Sequence, residues 1–569
     1  MAQRKTFWTW INADQREFGV FLLTLSRLPL HRSVIKLVDR ETVSGKEDLV
    51  DNKLSFRKLF AHEMTVPFLI ALFQLALQMT FHGNYGYFRD ELYYIACSNH
   101  LAFGYVDQSP LSIAILAVSR WILGDSLHAL RFLPALAGAG VVILAASITR
   151  RIGGGRFAQG LAALSVVAAH VLIGSGRYFS MNAFDVLFWA LAGYIVVKIL
   201  TEDRPRLWIA FGVVVGFGLL NKYSVGFLCI GLVAGLLLTS HRKQLATKYF
   251  WLGAMFAFLL FLPHVMWEVR HGLPTLEFMR NASQQKNAPV TITEFAVGQL
   301  RENNYFGAPI WLLGLYYFFF HRDGKRCRPL GWMYVVVFVT MVIGNAKVYY
   351  LSPIYPMLLA GGAVFAERLI QEHSWNWIRP VYVSLMIVWS AVVLPFALPV
   401  LPVQKFIEYE KFLGVTPRAE ERSSLGALPQ YYADMFGWEE MVAAVAKVYQ
   451  TLTPAEQAKC LIFVRNYGEA GAIDFFGKKY GLPPAACAHN NYWLWDPGDR
   501  TGDVAIILGS SRVLQKNLDD LQRRYRQVEL VATTNCSLCM PYENGRQFFL
   551  CRGMNTTFQR VWPEERFYI

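Results

Sequence analysis

Arg89-Asp90-Glu91-Leu92-Tyr93-Tyr94 and Gly104-Tyr105-Val106-Asp107-Gln108-Ser109-Pro110 put three acids and an arginine into one stretch between apolar runs. Charged side chains beside membrane spans are costly, so they need a partner or a task. Similar groups return at three later span entrances: Arg177-Tyr-Phe-Ser-Met-Asn-Ala-Phe-Asp185, Asn221-Lys222-Tyr223, and Lys347-Val-Tyr349-Tyr350. A carboxylate can remove the proton of an attacking hydroxyl, and cations can hold and neutralise a leaving phosphate. Asp90, with Glu91 or Asp185, suits the first task. Lys222, Lys347 and Arg177 suit the second, with Tyr349 and Tyr350 beside them. Arg89, Asp107, Tyr223 and His264 are further acceptor- or donor-binding candidates.

Each residue also has a plainer role. Asp90 and Glu91 fit the first turn of a helix, where acids are favoured, and Asp185 fits a helix cap. Lys222 could snorkel to the membrane surface, but at a non-cytoplasmic span end a lysine runs against the usual bias and suggests an anion to bind. Interfacial tyrosines and a lone helical histidine are ordinary. Asp90, Glu91, Asp185 and His264 are also hard-ligand types for a divalent metal, without a spacing that defines a site. A phosphate leaving group needs no general acid, which separates this set from the paired carboxylates of a glycosidase. The pattern G-x-x-x-x-G-K-[ST] is absent, so nothing points to nucleotide hydrolysis.

The elements that carry these residues are mostly membrane helices. The chain has 569 residues, 54% hydrophobic and 17% charged, which excludes an ordinary soluble protein. Its formal net charge of +14 is no signature of nucleic-acid binding, because the basic residues sit mostly in short loops between apolar runs, where orientation signals belong. An amphipathic N-terminal arm (1–63) shows no cleavable signal peptide. Beyond it we expect about eleven spans: 64–80, 132–149, 157–175, 186–200, 207–220, 225–240, 249–267, 306–320, 329–344, 351–366 and 380–401. Residues 111–123, short and interrupted by Arg120, read as an interfacial helix.

With the N-terminus inside, Arg150-Arg151, Arg204, Arg242-Lys243, Arg322–Arg328 and Arg368 all fall in cytoplasmic turnarounds. The candidate residues then share the opposite face, together with the tail. That tail (403–569) changes to soluble-domain composition, following a membrane domain over 64–402. Residues 460–464 and 504–508 read as buried strands, each followed by a helix-like segment (469–480 and 512–526), which predicts a small α/β domain. Gly468-Glu-Ala-Gly471 reads as a turn more than an anion-binding helix start. Five of the eight cysteines (Cys460, Cys487, Cys536, Cys539, Cys551) lie in the tail, which favours an oxidising compartment. The spacing Cys536-Ser-Leu-Cys539, without a second such pair, favours a disulfide or inert thiols over zinc.

The four motifs, taken in order, resemble membrane glycosyltransferases of the GT-C class, specifically the family 39 group of protein O-mannosyltransferases and bacterial enzymes that add aminoarabinose to lipid A. The resemblance covers most of 64–400 and omits the arm and the tail. It implies a polytopic helical bundle, a polyprenyl-phosphate-sugar donor, an extracytoplasmic site and an inverting single displacement. By position it implies that Asp90 engages the acceptor with Glu91 beside it. Asp185 is then the second acidic position, and Lys222, Lys347 and the nearby tyrosines contact the donor phosphate. A bacterial inner membrane is expected, and the acceptor is a lipid such as lipid A, a surface polymer or a protein hydroxyl. The rival reading is a transporter or lipid flippase, which would more typically place charges near the midplane and show two related halves. A non-catalytic receptor or subunit would not need acids and lysines in all four segments.

Overall fold

Backbone polar groups must be satisfied internally in lipid, and the apolar runs of this chain do so as helices. The computed structural model describes residues 63–417, 421–510 and 514–569; almost all of the expected N-terminal arm lies outside the described residues, as does the start of the helix expected from 512. The membrane domain comprises α1 (Thr65–Phe81), α2 (Arg89–Asn99), α3 (Leu111–Leu123), α4 (Leu127–Arg151), α5 (Arg156–Ala168), α6 (His170–Gly174), α7 (Met181–Glu202), α8 (Leu207–Asn221), α9 (Val225–Leu237) and α10 (Lys248–Arg270). It continues with α11 (Pro274–Asn281), α12 (Ile292–Glu302), α13 (Ala308–Phe319), α14 (Arg328–Ile343), α15 (Tyr355–Glu372) and α16 (Ile378–Ala397).

Among the described residues six helices are long and apolar enough to cross a membrane: α4, α7, α10, α16, and α14 and α15 with the 3-10 turns that precede them. A seventh is counted if α9 is joined to the turn at Ser240–Ala246, from which it is bent by 118°. The other expected spans appear as the shorter apolar helices α1, α5, α8 and α13. The run at 157–175 is interrupted, since Ala169 is extended and α5 ends before it. The Asn304 side chain donates to the freed Ala168 carbonyl at 3.3 Å, which satisfies the break. The short helices α11 and α12 fill the stretch between Glu268 and Asn304.

Helices cross closely where side chains vanish. A Cβ on Gly212 would fall 1.9 Å from the Gly253 carbonyl oxygen, so α8 and α10 meet backbone to backbone. The basic turnarounds meet acids of their own or a neighbouring turnaround: Arg151 and Arg204 bond Glu202 at 2.7 and 3.1 Å, and Arg368 bonds Asp323. Helix α3 keeps Trp121 and Ile122 86% and 64% exposed, while its Arg120 turns back to Ser98 at 2.6 Å, at the end of α2. An apolar flank with an inward-turned arginine is what an interfacial helix requires.

The tail opens on α17 (Val403–Phe412) and builds a five-stranded sheet with α18 (Trp438–Gln450), α19 (Tyr467–Phe476) and α20 (Leu514–Arg524). Its strands are β1 (Cys460–Val464), β2 (Ala485–Cys487), β3 (Val504–Ser510), β4 (Tyr525–Thr534) and β5 (Arg546–Met554), in the order β2-β1-β3-β5-β4. The β1 pairs with β2 and β3 are parallel; β5 runs antiparallel to β3 and β4. The strands β1 and β3 and the helices after them follow the sequence reading. Strand β4 escapes it because it begins directly where α20 ends, with no turn residue between them. Cys536 and Cys539 form a disulfide, and Cys460, Cys487 and Cys551 are buried and free.

Gly468 and Gly471 are not an isolated turn. They lie in α19, whose Asn466 cap accepts from Gly468 N and Glu469 N. A Cβ on Gly471 would fall 2.7 Å from the Leu92 backbone, and one on Gly468 2.4 Å from Arg89 Cγ. The missing side chains let α19 press against α2. Leu92 and Tyr93 consequently share one core with Trp438, Val442, Ile462 and Ile473 of the tail.

Candidate active site

Helix α2 is fixed before it can do chemistry. Glu91 Oε1 accepts from Arg131 Nε at 2.9 Å and Phe179 N at 2.8 Å. Its Oε2 accepts from Arg131 Nη2 at 2.7 Å and Phe88 N at 2.9 Å. Both side chains are fully buried. Every oxygen of Glu91 is thus occupied, and the carboxylate pins α2 to α4 and to the segment before α7. Arg131 was missed in the sequence, although an arginine flush against the apolar run from Phe132 demands a buried partner.

One residue earlier the helix turns Asp90 the other way, leaving its side chain 34% exposed. Tyr467 of the tail donates to Asp90 Oδ1 at 3.0 Å. Arg89 contacts Asp90 at 3.4 Å, Asp434 at 3.6 Å and the Tyr542 hydroxyl at 2.6 Å, so three tail residues clamp the start of α2. None of these tail partners carries a local motif; nothing in one sequence brings residues so distant onto one carboxylate.

A second cluster stands at the entrances of α7 and α9. Asp185 is buried at 1% exposure; its Oδ1 accepts from Ser224 Oγ at 2.5 Å and its Oδ2 lies 3.6 Å from Lys222 Nζ. Lys222 also donates to Asn182 Oδ1 at 2.8 Å and lies 5.1 Å from the Tyr350 ring centre and 5.8 Å from that of Tyr349. Lys347, just before these tyrosines, pairs with Glu421 of the tail at 3.3 Å. Burial alone would push the Glu421 carboxyl up, but Lys286, Arg89 and Lys347 outweigh it and bring it down to about 2. Asp185, Lys222, Tyr349 and Tyr350 are therefore brought together, while Lys347 pairs with Glu421, which lines the same cavity as Arg89.

Asp107 is half-buried between membrane loop and tail, accepting from Tyr93 OH at 2.9 Å and from Asn490 Nδ2 at 3.1 Å. Burial pushes its carboxyl up to about 6. Tyr223 donates to His264 Nε2 at 2.5 Å, because His264 Nδ1 gives its proton to the Phe103 carbonyl at 2.8 Å. That chain props the loop 103–110 against α10. Arg177 is elsewhere: its guanidinium stacks 3.9 Å over the Tyr431 ring and donates to the Phe396 carbonyl at 3.2 Å, fastening the end of α16 to the tail. The four hard-ligand types are held apart in separate contacts, Glu91 on Arg131, Asp185 on Lys222 and Ser224, His264 on Tyr223, and Asp90 on Tyr467. Among the described residues no three His, Cys, Asp or Glu side chains gather in a metal-holding group.

Arg89, Tyr467 and Glu421 open onto a cavity of about 280 Å³ between the tail and the loop after α11. An acid, a pair of buried-stem lysines and a cavity at one end of a helical bundle suit group transfer from a phosphate. Residues 107–267, which hold Asp107, Asp185 and Lys222, match the family model described as dolichyl-phosphate-mannose-protein mannosyltransferase. The likeness to that family spans residues 107–267 of the 569. No curated protein sequence matches it. The fold is similar to two crystal structures of ArnT from Cupriavidus metallidurans. The one bound to undecaprenyl phosphate is 14% identical with a TM-score of 0.53, covering 87% of this chain and 97% of that one. The apo state is 13% identical with a TM-score of 0.52, covering 86% and 98%.

Proposed function

We propose that the protein moves a sugar from a polyprenyl-phosphate-linked donor to a hydroxyl-bearing acceptor by an inverting displacement. Asp90 takes the proton of the acceptor hydroxyl, whose oxygen bonds the anomeric carbon from the face opposite the phosphate. The bond from that carbon to the phosphate oxygen breaks, and its electron pair leaves with polyprenyl phosphate. Lys222 and Lys347 stabilise that charge, with Tyr349 and Tyr350 beside them. Asp185 and Ser224 position the Lys222 ammonium, and Glu91 positions α2; neither carboxylate meets substrate. Glu421 is the counter-ion of Lys347 until the phosphate arrives.

The observation that carries this reading is Lys222, held by Asp185 beside the Tyr349 and Tyr350 rings, with Lys347 paired to Glu421 of the tail, which shares one cavity wall with Arg89. The undecaprenyl phosphate bound by the structurally similar ArnT supports a polyprenyl-phosphate donor. The basic turnarounds, the tail disulfide and the likeness to a bacterial enzyme support a multi-pass protein of a bacterial inner membrane. Its N-terminus is then cytoplasmic, with site and tail on the periplasmic side. Lipid A, another glycolipid, a surface polymer or a protein hydroxyl would serve as acceptor. The test is incubation of the purified protein with labelled polyprenyl-phosphate sugars and acceptor extracts. Release of polyprenyl phosphate with label on the acceptor supports transfer. Movement of the intact lipid across a bilayer without release would make it a flippase.

A further inference from the structure

The Cys536–Cys539 disulfide lies in the loop 535–545 that joins β4 to β5. Cys536 is half-buried and Cys539 buried, whereas Cys460, Cys487 and Cys551 of the same tail are buried and free. A cross-link between residues three apart closes so small a ring that it constrains the unfolded chain little. What it constrains is its own loop, which Cys536 N closes by donating to Asn544 Oδ1 at 2.8 Å. Two residues of that loop lead to the candidate active site. Tyr542 accepts from Arg89 Nη1 at 2.6 Å and faces Asp434, the other tail partner of Arg89. Glu543 accepts from Asn466 Nδ2 at 2.9 Å, which turns Asn466 Oδ1 toward the first amides of α19, and Tyr467 in that first turn bonds Asp90. The sulfurs reach Arg89 by a second route. They pack on Gly437, where a Cβ would fall 2.5 Å from Cys539 Sγ and 2.9 Å from Cys536 Sγ. Three residues earlier, the Asp434 carbonyl accepts from Arg89 N at 3.0 Å.

We propose that Cys536–Cys539 is a thiol–disulfide exchange site whose redox state sets the position of the Arg89–Asp90 pair, and that its partner is a dithiol of the same compartment. The inference rests on the transferase reading above. A thiolate of the partner attacks the half-buried Cys536 Sγ, the S–S bond breaks, and its electron pair leaves on Cys539 Sγ, which takes up a proton. The partner's second thiolate then attacks the mixed disulfide and releases Cys536, which is protonated in turn. The protein gains two electrons and two protons, and the partner becomes a disulfide. Two thiol sulfurs stand further apart than two bonded ones, so the reduced pair no longer fits against Gly437 and the loop slackens. Both routes to Arg89 and Asp90 loosen with it, and the oxidised protein is the active form.

The test uses the full chain in detergent, oxidised or treated with dithiothreitol under native conditions. Iodoacetamide followed by mass spectrometry should find Cys536 and Cys539 alkylated in the reduced sample, with Cys460, Cys487 and Cys551 unmodified. Hydrogen exchange at 434–437, 466–469 and 538–545 should quicken about tenfold on reduction. Label transfer should slow about tenfold at unchanged polyprenyl phosphate affinity and recover on reoxidation. Cys536→Ser with Cys539→Ser should behave as the reduced parent does and ignore dithiothreitol. A disulfide that resists dithiothreitol until the chain unfolds, exchange at 466–469 that does not respond to reduction, or equal non-zero transfer in the two states would each overturn the assignment. Absence of transfer in both states, with exchange at 466–469 still quickened by reduction, is a distinct result and would overturn the transferase reading instead.

Discussion

Tyr467 donates its hydroxyl proton to Asp90 Oδ1 at 3.0 Å, across 377 residues of chain. The tail thereby reaches the carboxylate that the membrane domain presents. The same α19 that carries Tyr467 lies on α2 through Gly468 and Gly471, so the contact is set by helix packing rather than by a loose side chain.

Tyr467→Phe keeps the ring stacked 4.5 Å from Tyr93 and removes only the hydroxyl. Turnover should fall by roughly ten- to a hundredfold, the worth of one hydrogen bond to a charged group, with donor binding unchanged. Initial rates of label transfer at saturating donor measure it.

Glu91 and Arg131 form a fully buried pair. Arg131→Met strands the carboxylate and should cost about 3–5 kcal/mol of stability, whereas Glu91→Gln with Arg131→Met should recover a large part of it. Denaturant melts in detergent read both. Full recovery of folding by the double variant without activity would mean that Glu91 does more than hold α2.

Lys222 is held between Asp185 and Asn182. Lys222→Met should weaken polyprenyl phosphate binding by tenfold or more, and Asp185→Asn should weaken it less, because the ammonium remains but is no longer aimed. Equal affinity in parent and Lys222→Met would remove this lysine from the donor site.

Asp107 titrates near pH 6 in the fold against 3.8 in an ordinary carboxyl, because burial disfavours its charge. A raised carboxyl contributes stability that is complete below about pH 3.8 and is lost as pH rises through about 6. Melting temperature followed from pH 4 to 8 should therefore decline less steeply in Asp107→Asn than in the parent. Parallel declines would show that Asp107 is not the group responsible.

The membrane domain was legible because apolar runs, a charge-rich loop and short basic turnarounds are local patterns; α4, α7, α10 and α16 fall where they were expected. Asp90, Lys222 and Lys347 were legible for the same reason, each being a costly charge at a span end. Which of Asp90 and Glu91 is buried was not, since neighbours on a helix point about 100° apart and only the packing of Arg131 decides it. Arg177 shares a motif with Asp185 yet stacks on Tyr431, a partner supplied by the tail. Tyr467, Tyr542, Glu421 and Lys286 stayed hidden because each acquires its meaning from a contact between segments far apart in sequence.

The most direct test of the account is single-turnover transfer from a labelled polyprenyl-phosphate sugar by the parent and by Asp90→Asn, with folding and donor affinity measured on the same preparations. Polyprenyl phosphate released by the parent, and a loss of at least a hundredfold in the variant at unchanged donor affinity, is the result predicted for a general base. Undiminished transfer by Asp90→Asn would contradict it.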